Sequence, residues 1–304
     1  MLKTALETLK SKDGKIHDEY QYLKLIEDIL NKGEIVDGRN GIVKTVIGSC
    51  MHFSLANNKI PILTSKKVAW KTCLKELLWF ISGKTDNKIL QDQNVKIWNG
   101  NSSREYLDSV GLNHLEENDL GPVYGHQWRH FNATYTDCNT DYNKQGIDQL
   151  DNVIQLLKDP KTRSSRRIIM SAWNPCQINE MALPPCHILC QFNVVGEKLS
   201  CILYQRSADV GLGVPFNIAS YSFLTHLLAK HCNLKAEEFI YYLGNCHIYN
   251  NHFSELELQT KNQLYEFPSI NIKTQKKNID EYEFDDFEIS DYQHNNKILM
   301  KMRT

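Results

Sequence analysis

The sequence lacks the features that define several large classes of protein. No stretch approaches the roughly 18 consecutive apolar residues that a membrane span needs. It also has no internal repeat, heptad array or low-complexity tract. The formal net charge is −1, so no overall field would attract nucleic acid or acidic lipid. These absences favour a globular protein with neither a membrane partner nor a need for nucleic acid, in which any anion site is built locally.

The nine cysteines follow none of the spacings that indicate a metal or dithiol site. No Cys-x-x-Cys pair occurs, which argues against the common zinc and redox motifs, and we expect no metal. The first ten residues contain no apolar core long enough for a signal peptide. We therefore expect reduced thiols and a cytoplasmic protein.

One cysteine has a distinctive position. Pro184 and Pro185 favour an extended approach to Cys186, and the apolar, partly alternating residues after it predict a strand over 187–195. A thiol held at the entrance of a strand can face a pocket while the strand behind it stays rigid. Most cysteines are small buried hydrophobes, so these neighbours alone leave both a core thiol and a nucleophile open.

Apolar periodicity predicts a mixed set of helices and strands. Helical spacing is present over 19–32 and 70–81, in a segment that begins near Ile147 and stops before Pro160, and over 221–231. Extended segments are predicted over 42–55, 168–173, 187–195, 198–206 and 241–249, and the third and fourth of these form a hairpin. Residues 1–17 are polar and predicted to be flexible, and 18–304 form one domain.

Polar residues at the ends of these elements are candidates for chemistry. Glu76 lies beside the apolar face of its helix, where burial would raise its pKa and suit it to proton transfer, although a solvated glutamate is the commoner case. Arg166 and Arg167 enter a strand, and two adjacent guanidinium groups suit a phosphate dianion. Arg206 precedes a glycine-containing loop and the start of a helix, and this arrangement favours binding of an anion.

Many motifs, in one order, resemble the thymidylate synthase family from about Ile26 to the C-terminus. They are Glu76-Leu-Leu-Trp-Phe, Lys96-Ile-Trp98, Leu120-Gly-Pro-Val-Tyr124-Gly, Ser165-Arg-Arg-Ile-Ile, Met181-Ala-Leu-Pro-Pro-Cys186-His187, Leu203-Tyr-Gln-Arg206-Ser207-Ala-Asp209, Gly213-Val-Pro-Phe-Asn217-Ile-Ala-Ser-Tyr221 and His247-Ile-Tyr249. The resemblance implies a eukaryotic-like, monofunctional form. It also implies one α/β (α+β) catalytic domain over 18–304, with a large mixed sheet flanked by helices and a sheet face that forms a homodimer.

The resemblance further implies reductive methylation of dUMP to dTMP. The co-substrate 5,10-methylenetetrahydrofolate would supply the carbon and the hydride and leave as dihydrofolate. The Cys186 thiolate would add to C6 of uracil, and Arg206 would stabilise that thiolate. Glu76, Asn217 and ordered water would move protons, and Tyr124 would assist proton removal from C5. His187 is not expected to be the base, because adjacent strand residues point to opposite faces.

The binding residues that the resemblance implies fall into two groups. The residues for dUMP are Arg39, Gln205, Arg206, Ser207, Asn217, His247 and Tyr249, with Arg166 and Arg167 supplied by the partner subunit. The residues for folate are Ile97, Trp98, Asp209, Leu212, Gly213 and Phe216, and Asp209 is also in the catalytic set. The Asn217 amide can accept from N3–H and donate to O4 of uracil, which mismatches cytosine.

Two alternatives stay open, and three departures from the family pattern motivate the second of them. Asn99 and Asn245 stand where family members usually carry aspartate, and Arg303-Thr304 replaces small apolar residues at the end. One alternative is a pyrimidine deoxynucleotide hydroxymethylase, in which water captures the one-carbon unit. The other is a non-catalytic nucleotide-binding relative.

Overall fold

The computed structural model describes residues 16–38 and 40–302. The helices are α1 (Tyr20–Lys32), α2 (Trp70–Ile81), α3 (Lys88–Asp92), α4 (Arg104–Ser109), α5 (Tyr124–His130), α6 (Gln149–Lys158), α7 (Gly213–His231) and α8 (Phe253–Gln259). The strands are β1 (Glu34–Gly38), β2 (Gly41–Ser54), β3 (Ile169–Ser171), β4 (His187–Val195), β5 (Lys198–Asp209), β6 (Lys235–Tyr249), β7 (Ser269–Ile272) and β8 (Phe287–Ser290).

Six strands form one large mixed sheet in the order β1-β2-β6-β5-β4-β3, and β7 pairs with β8 in a small second sheet. Neighbours in the large sheet are antiparallel except β5 and β6, which are parallel. A parallel pair needs a crossover connection, and α7 supplies it between β5 and β6. The predicted α/β domain, with a large mixed sheet flanked by helices, is confirmed.

The sheet buries one face and leaves much of the other exposed. Phe192, Leu203 and Phe239 point into the core, where α7 covers the central strands. Along β4 and β5 the buried residues alternate with exposed or half-buried ones, as expected when only one face packs against helices. Almost every side chain of α7 is buried, which fits its lack of a polar face.

Most predicted elements agree with the structure, and α2 agrees at both ends. The predicted start of α7 at Tyr221 is wrong, because the helix already begins at Gly213. Pro215 lies in the first turn, where a missing backbone N–H costs no helical hydrogen bond, so it does not delay the helix. The strand predicted to begin at Tyr241 also begins earlier, at Lys235.

Several predictions fall on residues outside the described ranges. These are the flexible segment, apart from its last two residues, and the roles of Arg39 and of Arg303-Thr304. His17, at the end of that segment, is buried, and its ring centroid lies 4.6 Å from that of Phe267.

Candidate active site

The topology brings the ends of three strands and one helix to a single edge of the sheet. Because β5, α7 and β6 form a crossover between parallel strands, the carboxyl ends of both strands and the amino end of α7 meet there. Strand β4 runs antiparallel to β5, so its first residues lie at the same edge. Cys186 therefore lies opposite Arg206.

The backbone of Cys186 is fixed on both sides. Its N–H donates to the Tyr124 hydroxyl at 2.8 Å, and its carbonyl accepts from the Arg206 N–H at 2.9 Å. The thiol-bearing residue is half-buried, whereas the strand that follows is largely packed into the core. This arrangement presents a cysteine side chain at the edge of the sheet on a rigid support.

The guanidinium of Arg206 is held beside the residues that precede Cys186. Its Nε donates to the Pro185 carbonyl at 2.8 Å and its Nη2 to the Pro184 carbonyl at 3.0 Å. The guanidinium carbon also lies 5.5 Å from the centre of the Trp173 ring, a cation–π contact. A fixed positive charge next to the Cys186 loop favours an anion there.

The carboxyl group of Glu76 is buried and accepts one hydrogen bond. Its Oε1 accepts from the indole Nε1 of Trp98 at 2.7 Å, and the residue is only 8% exposed. Burial raises the pKa of Glu76 to about 7, against the smaller opposing effect of the Trp98 hydrogen bond. A carboxyl with a pKa near neutrality can both take up and release a proton.

His187 belongs to the core. Its Nδ1 lies 2.8 Å from the Tyr221 hydroxyl, and its ring stacks on that of Tyr124 with centroids 4.1 Å apart. Burial lowers the pKa of His187 to about 3, so the ring is neutral at physiological pH. His187 therefore packs against Tyr124 within the core.

The loop after β5 is organised by Asp209. Its Oδ1 accepts from the N–H groups of Gly211 at 2.9 Å and Leu212 at 3.3 Å. The buried Nζ of Lys66 donates to the Gly211 carbonyl at 2.5 Å. Burial lowers the pKa of Lys66 to about 8, which the negative charge of Asp209 partly opposes. These contacts lead directly into α7, whose first turns carry Phe216 and Asn217, both half-buried.

The end of β6 adds His247 and Tyr249. In the parallel register Asn245 lies beside Ser207 and His247 beside Asp209. The Nδ1 of His247 lies 3.0 Å from the Oδ1 of Asn245. Burial lowers the pKa of His247, against a smaller opposing effect of Asp209.

The neighbouring Gln205 is buried. Its Nε2 donates to the Ser207 carbonyl, and its Oε1 accepts from the hydroxyl of Tyr241. Both contacts fix Gln205 beneath the edge of the sheet.

Comparison with known proteins identifies the family. The model of the family described as thymidylate synthase matches residues 20–304. The chain belongs to this family. The family predicted from the motifs is thus confirmed.

Curated relatives are about half identical to this thymidylate synthase family member. Bifunctional dihydrofolate reductase-thymidylate synthase of Paramecium tetraurelia is 52% identical over 287 residues, covering 94% of this chain and 61% of the relative. The proteins with that name from Plasmodium berghei and Zea mays are each 51% identical, and the matches cover 95% and 94% of this chain and 49% and 54% of the relatives. The chain thus spans about half to three fifths of the length of these relatives, and its monofunctional form stays a prediction.

Two predicted site residues lie apart from this edge. Arg166 and Arg167 are exposed and precede β3, and the Arg166 carbonyl accepts from Gln191, five residues beyond Cys186 along β4. At about 3.4 Å per residue this separation is about 17 Å, more than one arginine side chain bridges. They do not lie beside Cys186 of the same chain.

Sequence reasoning missed three residues that shape the site of this family member. Trp173 lies under Arg206, Lys66 holds the Asp209 loop, and Asn245 orients His247. Only Asn245 was marked in the sequence, by its departure from the usual aspartate. Trp173 and Lys66 act through contacts with residues that are distant in the chain, which sequence spacing does not reveal.

Residues 16–38 and 40–302 lack two features, a metal cluster and a membrane-spanning helix. No group of three or more His, Cys, Asp or Glu side chains is arranged to hold a metal ion there. In the same ranges no helix has the length and apolar character that a bilayer crossing requires.

Proposed function

We propose that this chain catalyses the reductive methylation of dUMP to dTMP with 5,10-methylenetetrahydrofolate as co-substrate. The observation that carries the proposal is Cys186, held between Tyr124 and Arg206 at the sheet edge of a thymidylate synthase family member. The relatives named above carry the same activity in their names.

Cys186 is the nucleophile. Its sulfur adds to C6 of the uracil ring, which makes C5 electron-rich enough to form a bond to carbon. The guanidinium of Arg206, held at the preceding prolines, supplies the positive charge that favours the thiolate. Tyr124 accepts from the Cys186 N–H, so its own hydroxyl hydrogen can bind a water molecule at the ring, and it assists proton removal from C5 by positioning the water that accepts this proton.

Glu76 transfers the other protons of the reaction. Its burial and its single indole partner support a carboxyl that changes protonation near neutral pH. Asn217, in the second turn of α7, reads the N3–H and O4 edge of uracil. Together with ordered water, the two residues link C4 and its oxygen to a proton source.

The remaining dUMP residues bind sugar and phosphate. His247 and Tyr249 bind the 3′-hydroxyl, while Arg206 and Ser207 lie at the phosphate. Gln205 supports Ser207 by donating to its carbonyl at 2.8 Å. Arg39 completes the phosphate set in the proposal, although it lies outside the described residues.

Arg166 and Arg167 reach the phosphate of a second copy of the chain. The exposed face of the sheet supports a homodimer, because Leu189, Tyr204 and Tyr242 lie side by side across β4, β5 and β6, and each is at least 36% exposed. If two such faces packed together about a twofold axis, residues at one end of each copy's strands would lie beside the site of the other copy. The partner copy would then supply the arginines that lie too far from Cys186 within one chain.

The folate would lie against the loop after β5 and the Trp98 segment. It would supply the carbon and the hydride. Apolar and aromatic side chains beside a carboxylate suit a flat ring with hydrogen-bond donors on one edge. The residues offered are Ile97, Trp98, Asp209, Leu212, Gly213 and Phe216, which are buried or half-buried in the structure.

The test is dihydrofolate formation from dUMP and methylenetetrahydrofolate, followed by absorbance. Wild type should form dihydrofolate and dTMP in equal amounts, and Cys186→Ala should form neither. Hydroxymethyl-dUMP as the main product would replace the proposal with the hydroxymethylase, and dUMP binding without turnover would replace it with the non-catalytic relative. We place this reaction in the cytoplasm, a reducing compartment that suits the nine cysteines, none of which forms a disulfide in the structure.

A further inference from the structure

Asn245 and His247 form a defined pair on one side of β6. Two residues apart on a strand, they point to the same face, and the Asn245 Oδ1 lies 3.0 Å from the His247 Nδ1. An amide oxygen can only accept a hydrogen bond, so Nδ1 must carry the proton. In a neutral imidazole the other nitrogen, Nε2, is then a pure acceptor.

The surroundings of His247 support a neutral ring. The residue is half-buried between β5 and β2, where its register partners are Asp209 and Thr45. Asp209 is the only charged residue of these neighbours, and its Oδ1 accepts two backbone N–H bonds of its own loop. The Tyr249 ring packs edge-on, with centroids 5.5 Å apart. Asn245 adds no charge, whereas the aspartate usual in the family would place a carboxylate at Nδ1.

We propose that Asn245 is a positioning residue that fixes the tautomer of His247, so that Nε2 accepts a hydrogen bond from the 3′-hydroxyl of the nucleotide. The proposal rests on the proposed function for the identity of the ligand. An acceptor at this point requires a donor on the sugar. The site therefore selects nucleotides with a 3′-hydroxyl over 3′-deoxy and 3′-O-methyl nucleotides, which offer no donor.

The tautomer can be measured without turnover. Nitrogen-15 NMR of the ligand-free protein, with the His247 signals assigned by their loss in His247→Gln, reports which ring nitrogen carries the proton. The expected wild-type result is a protonated Nδ1 and a bare Nε2, with a mixture of tautomers in Asn245→Leu, which keeps the branched shape of the side chain but lacks the side-chain acceptor. A protonated Nε2 in wild type would overturn the proposal.

Nucleotide binding tests the consequence. One net hydrogen bond corresponds to about fivefold in affinity, so wild type should bind dUMP about fivefold more tightly than 2′,3′-dideoxyuridine monophosphate. The ratio should fall in Asn245→Leu, by about twofold if the two tautomers are equally populated, because only one of them presents an acceptor at Nε2. In Asn245→Asp the affinity ratio should persist at pH 8. As the pH decreases, the ratio should fall at a higher pH than it does in wild type, because the new carboxylate favours the imidazolium, which has no acceptor.

Two binding results would also overturn the inference: an unchanged ratio in Asn245→Leu, or a ratio close to one in wild type. Failure of the proposed function looks different. In that case the wild-type tautomer and the affinity ratio are as expected, but no dihydrofolate forms.

Discussion

Replacing Glu76 by glutamine should lower activity strongly and, above neutral pH, increase the free energy of unfolding relative to wild type. The carboxyl is buried and accepts one hydrogen bond, from Trp98. Glutamine keeps the shape and an oxygen that can accept from the indole, but it cannot transfer a proton. We expect kcat to fall by about 10²- to 10⁴-fold, the usual contribution of a positioned acid or base.

The stability effect follows from the raised pKa of Glu76. Between its ordinary value of 4.5 and about 7, the folded protein retains a proton that the unfolded chain has lost. The folded state then binds more protons, so its stability falls as pH rises through this window. Each pH unit in this window corresponds to about 1.36 kcal/mol of unfolding free energy. Wild type should therefore lose up to about 3 kcal/mol of stability that the Glu76→Gln variant does not lose.

Urea unfolding of both proteins at pH 5 and pH 8, at one protein concentration, measures this difference. The variant should gain about 2 to 3 kcal/mol relative to wild type between the two pH values. Glu105→Gln is a matched control, because Glu105 is exposed on α4, and its curve should stay parallel to that of wild type. A constant difference between Glu76→Gln and wild type would refute a desolvated acid at this position.

Three further predictions concern the same site. Trp98→Phe removes the hydrogen bond that lowers the pKa of Glu76, so the pKa should rise by about one to two pH units, measured by the same unfolding comparison. Tyr124→Phe leaves the Cys186 N–H without its acceptor and should cost about 1 to 3 kcal/mol in urea unfolding, whereas an unchanged unfolding curve would show that water replaces the hydroxyl. Mixing Cys186→Ala with Arg166→Ala subunits should restore activity to about a quarter of the sites, because in a mixed dimer one site has both residues intact. Native mass spectrometry, which resolves the mixed dimer from the two homodimers by mass, checks subunit exchange. Activity no greater than the average of the two variants would contradict shared sites.

The parts predictable from sequence are those that local chemistry determines. Apolar spacing located α2 at both ends, and the prolines before Cys186 located the start of β4. The start of α7 was misplaced, because a proline in the first turn looks the same in sequence as one that ends a loop.

The state of Glu76 could not be obtained from its neighbours. It depends on burial and on Trp98, which comes from a separate loop 22 residues away. The support of Arg206 by Trp173 is equally distant, since a ring contact between residues 33 positions apart has no signature in spacing. The tautomer of His247 is only partly predictable from sequence. Asn245 is near His247 in the chain, but only the strand geometry shows that the two side chains meet.

The position of β6 in the middle of the sheet has a consequence for folding. Strand β2 pairs with β6 from Val43 with Tyr249 to Ser54 with Glu238, so its partner is synthesised about 200 residues later. At roughly 5 to 20 residues per second, β2 waits about 10 to 40 s on the ribosome with its pairing edge open. Contacts this distant in sequence also close slowly. Newly made chains should therefore pass through a period in which β1 and β2 form an isolated hairpin with an exposed apolar strand, and this is the stage at which a chaperone would raise the yield.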